Sequence, residues 1–524
     1  MTKTQQNPFE PKQRSPGPPS PPVRPRALLV NPWITDVAAY DLWARPLGLL
    51  YLAALLRRRG WSVGLVDCMD RRHPSLGAEA GRDDGCGRGK YRSEIIEGMD
   101  GLKGAKGEKG QKGQTGLTGP TGLNRPYRRY GISLEAFERD AAAFAKSGGP
   151  LAPVGPLAPV GPLGPVNPLA PAGTLALAGP PDLVLVTTRM TYWYPGAQMA
   201  IDRLRRLFPR VPIALGGVYA TLCPDHARRH SGADMVIGGE GENPVLALAE
   251  SVAPGRFDST PIDPDRLDDL PAPAWDLAHH RDAPAILASR GCPMNCSYCA
   301  SSLLYLSHRR RDPGRVVEEI LRCVTDFGAA DAAFYDDALL ARRSKSFEPI
   351  LDELIRAGSP VRLHTPNGVH ASFIDDALAA KMRAARVETL RLSLETADAA
   401  HLARLNRPIA AHQFLTAMAA LRKAGFSRSQ LGVYLLAALP GQSEEETRRS
   451  IDLVIESGGT PLIGEYSPIP LTPEYARARD ESGLPLDDEP LLHNNSVFHT
   501  LAPWSRDGLI SRLRQYARDR VRES

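Results

Sequence analysis

The first part of the chain alternates short apolar runs with amphipathic stretches. Residues 27–30 form a buried-strand pattern that ends at a turn, and a helix is predicted over 47–59. Pro46 stands where that helix begins, and Gly60 stands just beyond its end. Residues 61–66 supply the next apolar strand. A strand, a helix and a strand at this spacing predict a βαβ unit in a parallel sheet.

The same strand pattern returns much later in the sequence. Buried strands are predicted over 182–186, 211–215 and 235–237, and each one leads into a polar or glycine-rich loop. Together with the first βα unit they predict a doubly wound α/β domain. Ligands of such sheets bind beyond the carboxyl ends of the strands, so these loops are where we expect a ligand.

Two low-complexity stretches separate the early strands from the late ones. Glycine recurs at every third position nine times over 98–122, which is a collagen-like period, and proline recurs at every third position over 150–171, which favours polyproline II. A triple helix needs three chains, so we expect two solvent-exposed excursions instead. Between them, Ser133 is the predicted N-cap of an amphipathic helix that runs to Lys146.

Repeated βα units follow a stretch that is rich in proline and aspartate. The predicted strands cover residues 286–288, 332–335, 361–364, 390–394, 432–439 and 463–466. Repetition at this spacing predicts a barrel or part of one. Ser443 and Glu446 form the sequence pattern of a capping box, and a basic helix is predicted over 505–522.

These patterns predict an α/β protein with two main domains. An N-terminal doubly wound, Rossmann-like domain precedes a partial (β/α)6 TIM-like barrel. The expected divisions are a disordered tail over 1–26, the Rossmann-like domain over 27–257 with inserts at 98–122 and 150–172, a linker over 258–282, the barrel over 283–480 and a helical extension over 481–524.

Composition and charge narrow the class of protein. Hydrophobic residues make up 42% of the chain and charged residues 23%, which is ordinary for a soluble globular protein. The net charge of +5 is small and scattered, so we expect no nucleic-acid partner. The longest apolar stretch, residues 47–56, is about half of what a bilayer requires, and the N-terminus lacks the apolar centre of a signal peptide. A cytoplasmic protein without a membrane partner is expected.

Three of the seven cysteines, Cys292, Cys296 and Cys299, fall within eight residues. In a reducing compartment such a cluster indicates metal binding rather than disulfides. Cysteine thiolates are the usual ligands of iron–sulfur clusters, and three sulfurs leave one iron of a four-iron cluster open for chemistry. Zinc is the alternative, although a structural zinc site wants four ligands and paired Cys-x-x-Cys knuckles or a histidine pair.

The order Cys-x-x-x-Cys-x-aromatic-Cys after a first barrel strand resembles the signature of the radical S-adenosylmethionine (SAM) superfamily. The resemblance implies a [4Fe–4S] cluster whose open iron is chelated by SAM. It also implies reductive cleavage of SAM to a 5′-deoxyadenosyl radical, which the barrel shields from side reactions. Tyr298 takes the aromatic position beside the adenine. The other positions implied to contact SAM are Asp336, Asp337, Asn367, Ser393 and Glu395.

The alternative for each of these strand-end residues is a polar side chain that is satisfied by backbone at the barrel rim. The two aspartates stand where relatives often carry a Gly-Gly-Glu motif, from which this sequence departs. Their assignment to SAM is therefore a hypothesis that the fold must support.

The N-terminal domain carries a second resemblance. Residues 45–53, 215–221 and 238–242 are similar to segments of the cobalamin-binding domains that are fused to radical SAM enzymes. That subfamily places cobalamin between the two domains, and glycines at strand ends let a flat cofactor approach the backbone. The Asp-x-His-x-x-Gly motif, whose histidine ligates cobalt in methionine-synthase-type domains, is not in the sequence. The positions implied to contact cobalamin are Thr188, Gly216, Gly217 and Glu240.

The expected function is that of a radical SAM enzyme, with cobalamin-dependent methyl transfer to a small-molecule or natural-product substrate as the leading reaction. Radical rearrangement or cyclisation without cobalamin uses the same parts. The expected partners are the substrate and a reductase or a flavodoxin- or ferredoxin-type electron donor. A non-catalytic electron carrier would be expected to close its cluster with four cysteines. A scaffold that docks partners through the two inserts leaves the cysteines unexplained.

Overall fold

The computed structural model describes residues 24–39, 43–79, 91–96, 126–147, 179–407 and 409–524. Residues 1–23 of the predicted tail and both predicted inserts lie outside these ranges. The strands of the described residues are β1 (Arg26–Asn31), β2 (Ile34–Asp36), β3 (Ser62–Asp67), β4 (Ser93–Ile95), β5 (Arg128–Tyr130), β6 (Leu183–Val186), β7 (Ile213–Leu215), β8 (Met235–Val236), β9 (Ala285–Ile286), β10 (Ser289–Arg290), β11 (Arg309–Arg310), β12 (Asp331–Phe334), β13 (Arg362–His370), β14 (Val387–Glu395), β15 (Leu431–Ala437) and β16 (Thr460–Glu465). The α-helices are α1 (Leu47–Arg58), α2 (Leu134–Lys146), α3 (Tyr194–Leu207), α4 (Val218–Leu222), α5 (Pro224–His230), α6 (Glu242–Val252), α7 (Ser301–Leu304), α8 (Pro313–Phe327), α9 (Phe347–Arg356), α10 (Asp376–Ala384), α11 (Ala399–Arg404), α12 (Ala411–Lys423), α13 (Glu444–Glu456), α14 (Pro473–Ser482), α15 (Asn495–Leu501) and α16 (Leu509–Glu523).

Five parallel strands form the sheet of the N-terminal domain, in the order β3-β1-β6-β7-β8. Val30 of the central strand β1 pairs with Val66 on one side and Val186 on the other. The prediction of a doubly wound sheet is confirmed. Its strand order reverses between β1 and β6, and this switch point opens a crevice outside the carboxyl ends of the strands.

Strand β1 shows why the sheet is covered on both faces. Successive side chains of a strand point to opposite faces, so Ala27 and Leu29 join one apolar core, while Leu28 and Val30 join the other. Helices α1 and α6 pack on the first face, and α2 and α3 pack on the second. Each fully buried leucine contributes about 1.5–3 kcal/mol relative to an exposed one. A near-continuous apolar run is what such a doubly covered strand requires.

The barrel consists of six parallel strands in the order β9-β12-β13-β14-β15-β16. Each of these strands lies next to the barrel strand that precedes it in the chain, as a partial (β/α)6 barrel requires. That prediction is confirmed. Helices α8 to α10, α12, α13 and α16 supply the outer layer of its core. Strands β9 and β16 are the two edges of this sheet in the described part of the chain.

Two predicted helix caps have different outcomes. Ser133 caps α2, because its Oγ accepts a hydrogen bond from the Ala136 N–H at 3.2 Å. Ser443 likewise accepts from the Glu446 N–H at 3.1 Å. The reciprocal half of the predicted capping box is wrong, because the Glu446 carboxylate accepts from Thr396 Oγ1 at 2.8 Å. A buried carboxylate is held by side-chain donors in the core rather than by the helix terminus.

Two small antiparallel pairings were not predicted from the sequence. Strands β2, β5 and β4 form a three-stranded sheet in which Ile34 pairs with Tyr130. Strands β10 and β11 form a two-residue pairing in which Arg290 lies opposite Arg309. No helix in the described residues is both long enough and apolar enough to cross a bilayer.

Candidate cofactor site

The three clustered cysteines lie on a loop whose two ends are joined by β10 and β11. Gly291 follows β10 directly and has a φ of +78°. A Cβ atom at this position would lie 2.5 Å from the backbone oxygen of Ser307 on the returning side of the loop. Glycine is therefore required at this turn, both by the backbone conformation and by the close approach of the chain. The turn brings Cys292 out of the strand and towards the barrel mouth.

All three cysteines line one cavity of about 390 Å³ at the carboxyl ends of β12, β13 and β14. This is the end of a barrel where active sites are built. Five of the residues predicted to contact SAM line the same cavity, namely Tyr298, Asp337, Asn367, Ser393 and Glu395. Residues that are separated by about a hundred positions in the chain are thus brought to one place by the parallel order of the strands.

Two of the cysteine thiols in this cavity have raised pKa values. Burial raises the pKa of Cys292, and burial raises the pKa of Cys299 to about 11. Only the thiolate ligates a metal, so metal loading must release these protons. Cys299 is nevertheless exposed at its residue surface, which leaves this corner of the cavity close to solvent.

The two neighbouring aspartates have different surroundings. Asp337 lines the cavity, and its Oδ2 accepts a hydrogen bond from Ser301 Oγ at 2.9 Å. Asp336 does not line the cavity. It is buried and accepts from Ser289 Oγ at 2.5 Å and from the Ala288 N–H at 3.1 Å. Burial raises the pKa of Asp336 to about 7. The structure therefore corrects the expectation that Asp336 contacts SAM. Its carboxylate instead holds Ala288 and Ser289, just before the cysteine loop.

Tyr298, Glu395 and Arg407 form a charged group within the cavity. The Tyr298 hydroxyl is hydrogen-bonded to the Glu395 carboxylate, and Arg407 Nη2 lies 3.9 Å from Glu395 Oε1. Burial raises the pKa of Glu395, and the Arg407 charge opposes that shift. Glu395 has a φ of +70° at a register shift in β14. A left-handed conformation of a non-glycine residue costs on the order of 1–3 kcal/mol and is typical of functional sites.

Asn367 and Gly368 lie in the part of β13 that borders the cavity. A Cβ atom on Gly368, which has a φ of +79°, would lie 2.5 Å from Ser393 Oγ. The glycine therefore leaves Ser393 in place beside the cavity. Asn367 Nδ2 donates to the Tyr335 backbone oxygen at 2.9 Å. The backbone-satisfied alternative that we considered for strand-end residues thus describes part of the role of Asn367.

Arg407 is the residue that sequence reasoning missed. Its Nη1 lies 3.7 Å from Cys296 Sγ, and its Nη2 donates to the Ser393 backbone oxygen at 3.3 Å. The turn that precedes it holds the cysteine loop, since the Ser297 N–H donates to the Leu405 oxygen at 3.0 Å. No local motif marks Arg407. The only signal in the sequence is an arginine shortly after a strand that was already predicted to end at the site.

The cysteine hairpin is clamped to the N-terminal domain by buried ion pairs. Arg290 Nη1 lies 2.6 Å from Glu242 Oε1 and 3.2 Å from Glu240 Oε1. Arg309 Nη2 lies 2.7 Å from both carboxylate oxygens of Glu240. We name these four residues the arginine–glutamate clamp. Glu240 was expected to contact cobalamin, but the structure directs its carboxylate to the hairpin that carries the cysteines.

The remaining predicted cobalamin positions lie at the carboxyl ends of β6 and β7. The Thr188 hydroxyl donates to the Gly216 oxygen at 3.1 Å and accepts from the Tyr219 N–H at 3.2 Å. Gly217 has a φ of +91°, and a Cβ there would lie 2.1 Å from the Thr188 oxygen, so this glycine is required by its own neighbours. A Cβ on Gly216 would meet only the Ile237 oxygen, at 3.7 Å.

The backbone is open at two of the glycines beyond these strand ends. Gly239, in the loop after β8, has no heavy atom within 4 Å of an added Cβ, so the backbone there is open as it is at Gly216. Helix α4, which begins at the Gly216–Gly217 turn, contacts α7 directly after the cysteines. The Gly216–Gly217 turn of the first domain and the cysteine loop of the second are therefore close to each other.

The cysteine cavity fits an iron–sulfur cluster in its donor set. Within the described residues, no group of three or more His, Cys, Asp or Glu side chains is placed to hold a single metal ion. The three cysteines share one cavity without converging on one point, as is needed when each sulfur binds a different iron. No other described cysteine lines that cavity, so one iron would lack a protein thiolate.

A larger cavity of about 590 Å³ lies elsewhere, between the end of β3, the start of α1 and residues 277–280. It contains the Asp70–His279 pair and the His73–Asp140 pair, in which His73 Nε2 lies 2.7 Å from Asp140 Oδ2. None of the predicted site residues lines it. The donor chemistry of the cysteine cavity, rather than its size, therefore identifies the candidate site.

Comparison with known families agrees with this assignment of the two domains. Residues 286–454 match the radical SAM superfamily, and residues 174–249 match the B12 binding domain. The chain therefore contains a radical SAM domain and a B12-binding domain. The radical SAM match begins in β9 and includes the three cysteines, and the B12 match includes the strand ends of β6, β7 and β8.

Two curated proteins are similar to parts of this chain. An uncharacterised methyltransferase of Pyrococcus horikoshii is 23% identical over 297 residues, covering 52% of this chain and 63% of the relative. An anaerobic magnesium-protoporphyrin IX monomethyl ester cyclase of Cereibacter sphaeroides is 25% identical over 336 residues, covering 57% of this chain and 54% of the relative. The chain thus spans less than two thirds of the length of these relatives.

Solved structures show the same arrangement of domains. The radical SAM methyltransferase TsrM of Kitasatospora setae, with cobalamin and a [4Fe–4S] cluster bound, has a TM-score of 0.56 at 14% identity, covering 88% of this chain and 78% of TsrM. The cobalamin-dependent radical SAM enzyme OxsB, with aqua-cobalamin bound, has a TM-score of 0.53 at 12% identity, covering 94% of this chain and 62% of OxsB. At these identities the likeness concerns the fold.

Proposed function

We propose that this protein is a cobalamin-dependent radical SAM enzyme that transfers a methyl group to a small-molecule substrate. The observation that carries the proposal is the placement of Cys292, Cys296 and Cys299 around one cavity that adjoins the strand ends of a B12-type domain. An electron carrier needs neither an open cavity beside its cluster nor a second ligand-binding domain.

In this proposal the three cysteines hold a [4Fe–4S] cluster, and SAM occupies the rest of the cavity. When bound, these groups supply a reducing electron and a reactive methyl or adenosyl fragment, and cobalamin supplies a methyl carrier. Arg407, whose guanidinium faces the cavity, offers a fixed positive charge for the SAM carboxylate. Asp337 offers an acceptor for the ammonium group, oriented by Ser301. Ser393, beside Gly368, offers its side-chain hydroxyl to the bound SAM.

Tyr298 and Glu395 keep the inner wall of the cavity in place. Glu395 is 7% exposed, and its carboxylate is held between the Tyr298 hydroxyl and the Arg407 guanidinium. This leaves the tyrosine ring as a flat surface on which an adenine packs. Burial of these groups excludes water from the region in which a radical fragment would be released.

Cobalamin in this proposal lies outside the carboxyl ends of β6 and β7, against Thr188, Gly216 and Gly217. The open backbone at Gly216 and the adjacency of α4 to α7 support this position. Glu240 belongs to the arginine–glutamate clamp and is assigned to the support of the cysteine hairpin instead. The substrate would enter between the two cofactors, where both domains contribute to the surface.

The wider proposal keeps the divisions and partners expected from the sequence. The domain limits 27–257, 258–282, 283–480 and 481–524 are retained. The partners are a small molecule and a flavodoxin- or ferredoxin-type electron donor, with no nucleic acid, and the location is the cytoplasm. Cyclisation or rearrangement without cobalamin is the second candidate, and the likeness to the cyclase of Cereibacter sphaeroides favours the cyclisation part of it.

The test is an anaerobic reconstitution of the full chain with iron, sulfide and hydroxocobalamin. After gel filtration, the visible spectrum reports bound cobalamin and electron paramagnetic resonance reports the reduced cluster. SAM and dithionite are then added, and S-adenosylhomocysteine and 5′-deoxyadenosine are quantified by chromatography. Methyl transfer predicts S-adenosylhomocysteine whose formation requires cobalamin. Formation of 5′-deoxyadenosine alone, with no effect of cobalamin, favours cyclisation or rearrangement.

Two variants make this test specific. The triple variant Cys292→Ala, Cys296→Ala, Cys299→Ala should lose the cluster signal and both products while it retains cobalamin. Cys223→Ala is the matched control, because Cys223 is half-buried in the first domain and does not line the cavity. A parent protein that holds an intact cluster but binds no SAM in equilibrium dialysis would contradict the proposal, whether or not the substrate is known.

A further inference from the structure

The surface that follows the cysteines combines exposed apolar and positively charged side chains. Leu306 is fully exposed and Leu303 is 40% exposed. Single exposed leucines are common, but these two lie within seven residues of Cys299 on the loop that carries the cysteines. Ser302, next to Leu303, lines the cysteine cavity itself. This apolar surface is therefore at the edge of the candidate site.

Positively charged side chains lie on the strand that follows the two leucines and on the segment that this strand contacts. Arg310 Nη1 donates to the Lys345 backbone oxygen at 3.5 Å, which joins the hairpin to the segment after β12. Burial lowers the pKa of His308, and the charges of Arg310 and Arg342 add to that shift. Arg342 and Lys345 are exposed. Leu340, two residues before Arg342, lines the cysteine cavity. We name Leu303, Leu306, Arg310, Arg342 and Lys345 the cationic rim.

The charges of the cationic rim are not neutralised within the described residues. No Asp or Glu of the described chain lies within ion-pair distance of Arg310, Arg342 or Lys345, although Arg343 in the same segment pairs with Glu348 at 3.2 Å and also with Asp375. Exposed arginines and lysines elsewhere on the barrel often have such partners, for example Lys423 with Asp376. The backbone of Arg342 also has a left-handed φ of +53°, so this residue is not part of the short helical turn that follows it.

We propose that the cationic rim is the docking surface for a small acidic flavodoxin that reduces the cluster. The inference rests on the proposed function, because only a redox site requires an electron from outside. One electron leaves the reduced flavin of the donor and enters the oxidised cluster, so the donor is oxidised by one electron and the cluster is reduced by one. The proposed function assigns a cluster and cobalamin to the described chain but no source of electrons, so that electron must arrive from a separate reductant.

Charge favours an acidic donor, because the unneutralised cations complement it and opposite charges accelerate encounter. The apolar side chains favour a flavodoxin among acidic donors, because the exposed edge of a flavin ring is apolar and Leu303 and Leu306 are exposed on the loop that carries the cysteines. Cys299 is exposed on the same loop, so a docked flavin and the cluster are separated by little protein.

The test compares two reductants on the reconstituted full chain. SAM cleavage is driven either by photoreduced flavodoxin or by dithionite, a small reductant that needs no docking surface. The variant Arg342→Glu, Lys345→Glu should lower the flavodoxin-driven second-order rate by about 10-fold or more at low salt. Its dithionite-driven rate should equal that of the parent. Added salt should reduce the difference, because it screens exposed charges.

The control is Arg210→Glu, a charge reversal at an exposed residue in the turn between α3 and β7. It should leave both rates unchanged. Leu306→Ser should lower only the flavodoxin-driven rate. Equal flavodoxin-driven rates for parent and charge-reversed variant would overturn the docking proposal while SAM cleavage itself stands. The same holds if an acidic ferredoxin supports charge-dependent reduction and flavodoxin does not. Loss of the dithionite-driven reaction in the parent would instead count against the proposed function.

Discussion

The carboxylate of Glu240 lies 2.7 Å from the Arg309 guanidinium, across the boundary between the two domains. Arg309 is in the strand that closes the cysteine loop, and Glu240 is in the loop after the last strand of the B12-type sheet. With Arg290 and Glu242 they form a buried clamp. The position of the cysteines is therefore fixed by the domain that is proposed to hold cobalamin, and not only by the barrel.

Removing one member of the arginine–glutamate clamp should lower the free energy of unfolding. Glu242→Ala leaves the Arg290 guanidinium, which is 8% exposed, without its nearest carboxylate. Breaking a buried ion pair outright lowers the free energy of unfolding by about 3–5 kcal/mol, and because Glu240 stays 3.2 Å from Arg290 we expect a loss at the lower end of that range. Urea unfolding of the protein before cluster loading measures the change. Asp225→Ala is the matched control, because its partner Arg228 is on the surface, and it should change stability by at most about 1 kcal/mol.

A double variant of the clamp separates the contribution of side-chain packing to stability from the contribution of charge. Arg290→Met combined with Glu242→Met removes both charges and keeps the apolar volume, so it should recover most of the stability lost in Glu242→Ala. If the double variant is as unstable as the single one, the clamp acts through hydrogen bonds that methionine does not replace. Cluster content after reconstitution should follow stability in both variants.

Gly291 provides a prediction about the cysteine loop itself. Gly291→Ala combines a positive φ with a Cβ that would lie 2.5 Å from the Ser307 oxygen, so the loop must shift. We expect the iron content after reconstitution to fall by more than half. Gly483→Ala is the control for backbone conformation alone, because Gly483 has a φ of +65° and open space around it. That variant should cost about 1 kcal/mol and retain its iron.

Much of this site follows from the sequence because its ligands are local. The three cysteines fall within eight residues, and five of the six barrel strands end within two residues of their predicted ends, whereas β13 runs six residues further. Strands β2, β4 and β5 have three residues each, which is too short for a periodic signal. Their pairing depends on residues such as Ile34 and Tyr130, which only the fold brings together.

Arg407 shows the limit of sequence reasoning at the site. It is 111 residues from Cys296, and its approach to that sulfur depends on the turn after α11 packing against the cysteine loop. Glu240 shows the opposite case. Its loop was expected from the glycine pattern, but the direction of its carboxylate is decided by two arginines on another domain. Motifs locate loops, whereas side-chain partners come from packing between domains.

Arg407 should affect SAM binding more than cluster assembly. Arg407→Met keeps much of the side-chain volume and removes the charge that faces the cavity. The variant loses a charge-assisted hydrogen bond to SAM, which contributes about 1.5–3 kcal/mol to binding. That loss corresponds to an increase of roughly 10- to 100-fold in the SAM dissociation constant. Equilibrium dialysis of the reconstituted protein measures it, with iron content unchanged.

A nearby arginine provides the comparison for that variant. Arg404 lies in the same turn region but interacts with His401 and the Pro440 oxygen, and it does not line the cavity. Arg404→Met should leave the SAM dissociation constant within about twofold of the parent, since remote substitutions act mainly on stability. An equal loss of SAM affinity in both variants would mean that Arg407 acts by holding the loop and not by contacting the ligand.

Asp336 provides a prediction about the pH dependence of stability. Burial raises its pKa to about 7 in the folded protein from an ordinary value of 3.8. Between these values the folded state binds a proton that the unfolded state has released, so this group makes stability fall as pH rises. The slope reaches about 1.4 kcal/mol per pH unit, and the contribution is fully present below the unfolded-state pKa.

Asp336→Asn removes this titration and keeps the side-chain shape beside Ser289 and Ala288. The difference in unfolding free energy between parent and variant should therefore change steadily from pH 5 to pH 7, in favour of the variant at the higher pH. Urea unfolding at several pH values before cluster loading measures this difference, so that titration of other groups cancels. A flat difference for Asp336→Asn would mean that the carboxylate is ionised in the folded protein and that its hydrogen-bond donors outweigh the effect of burial.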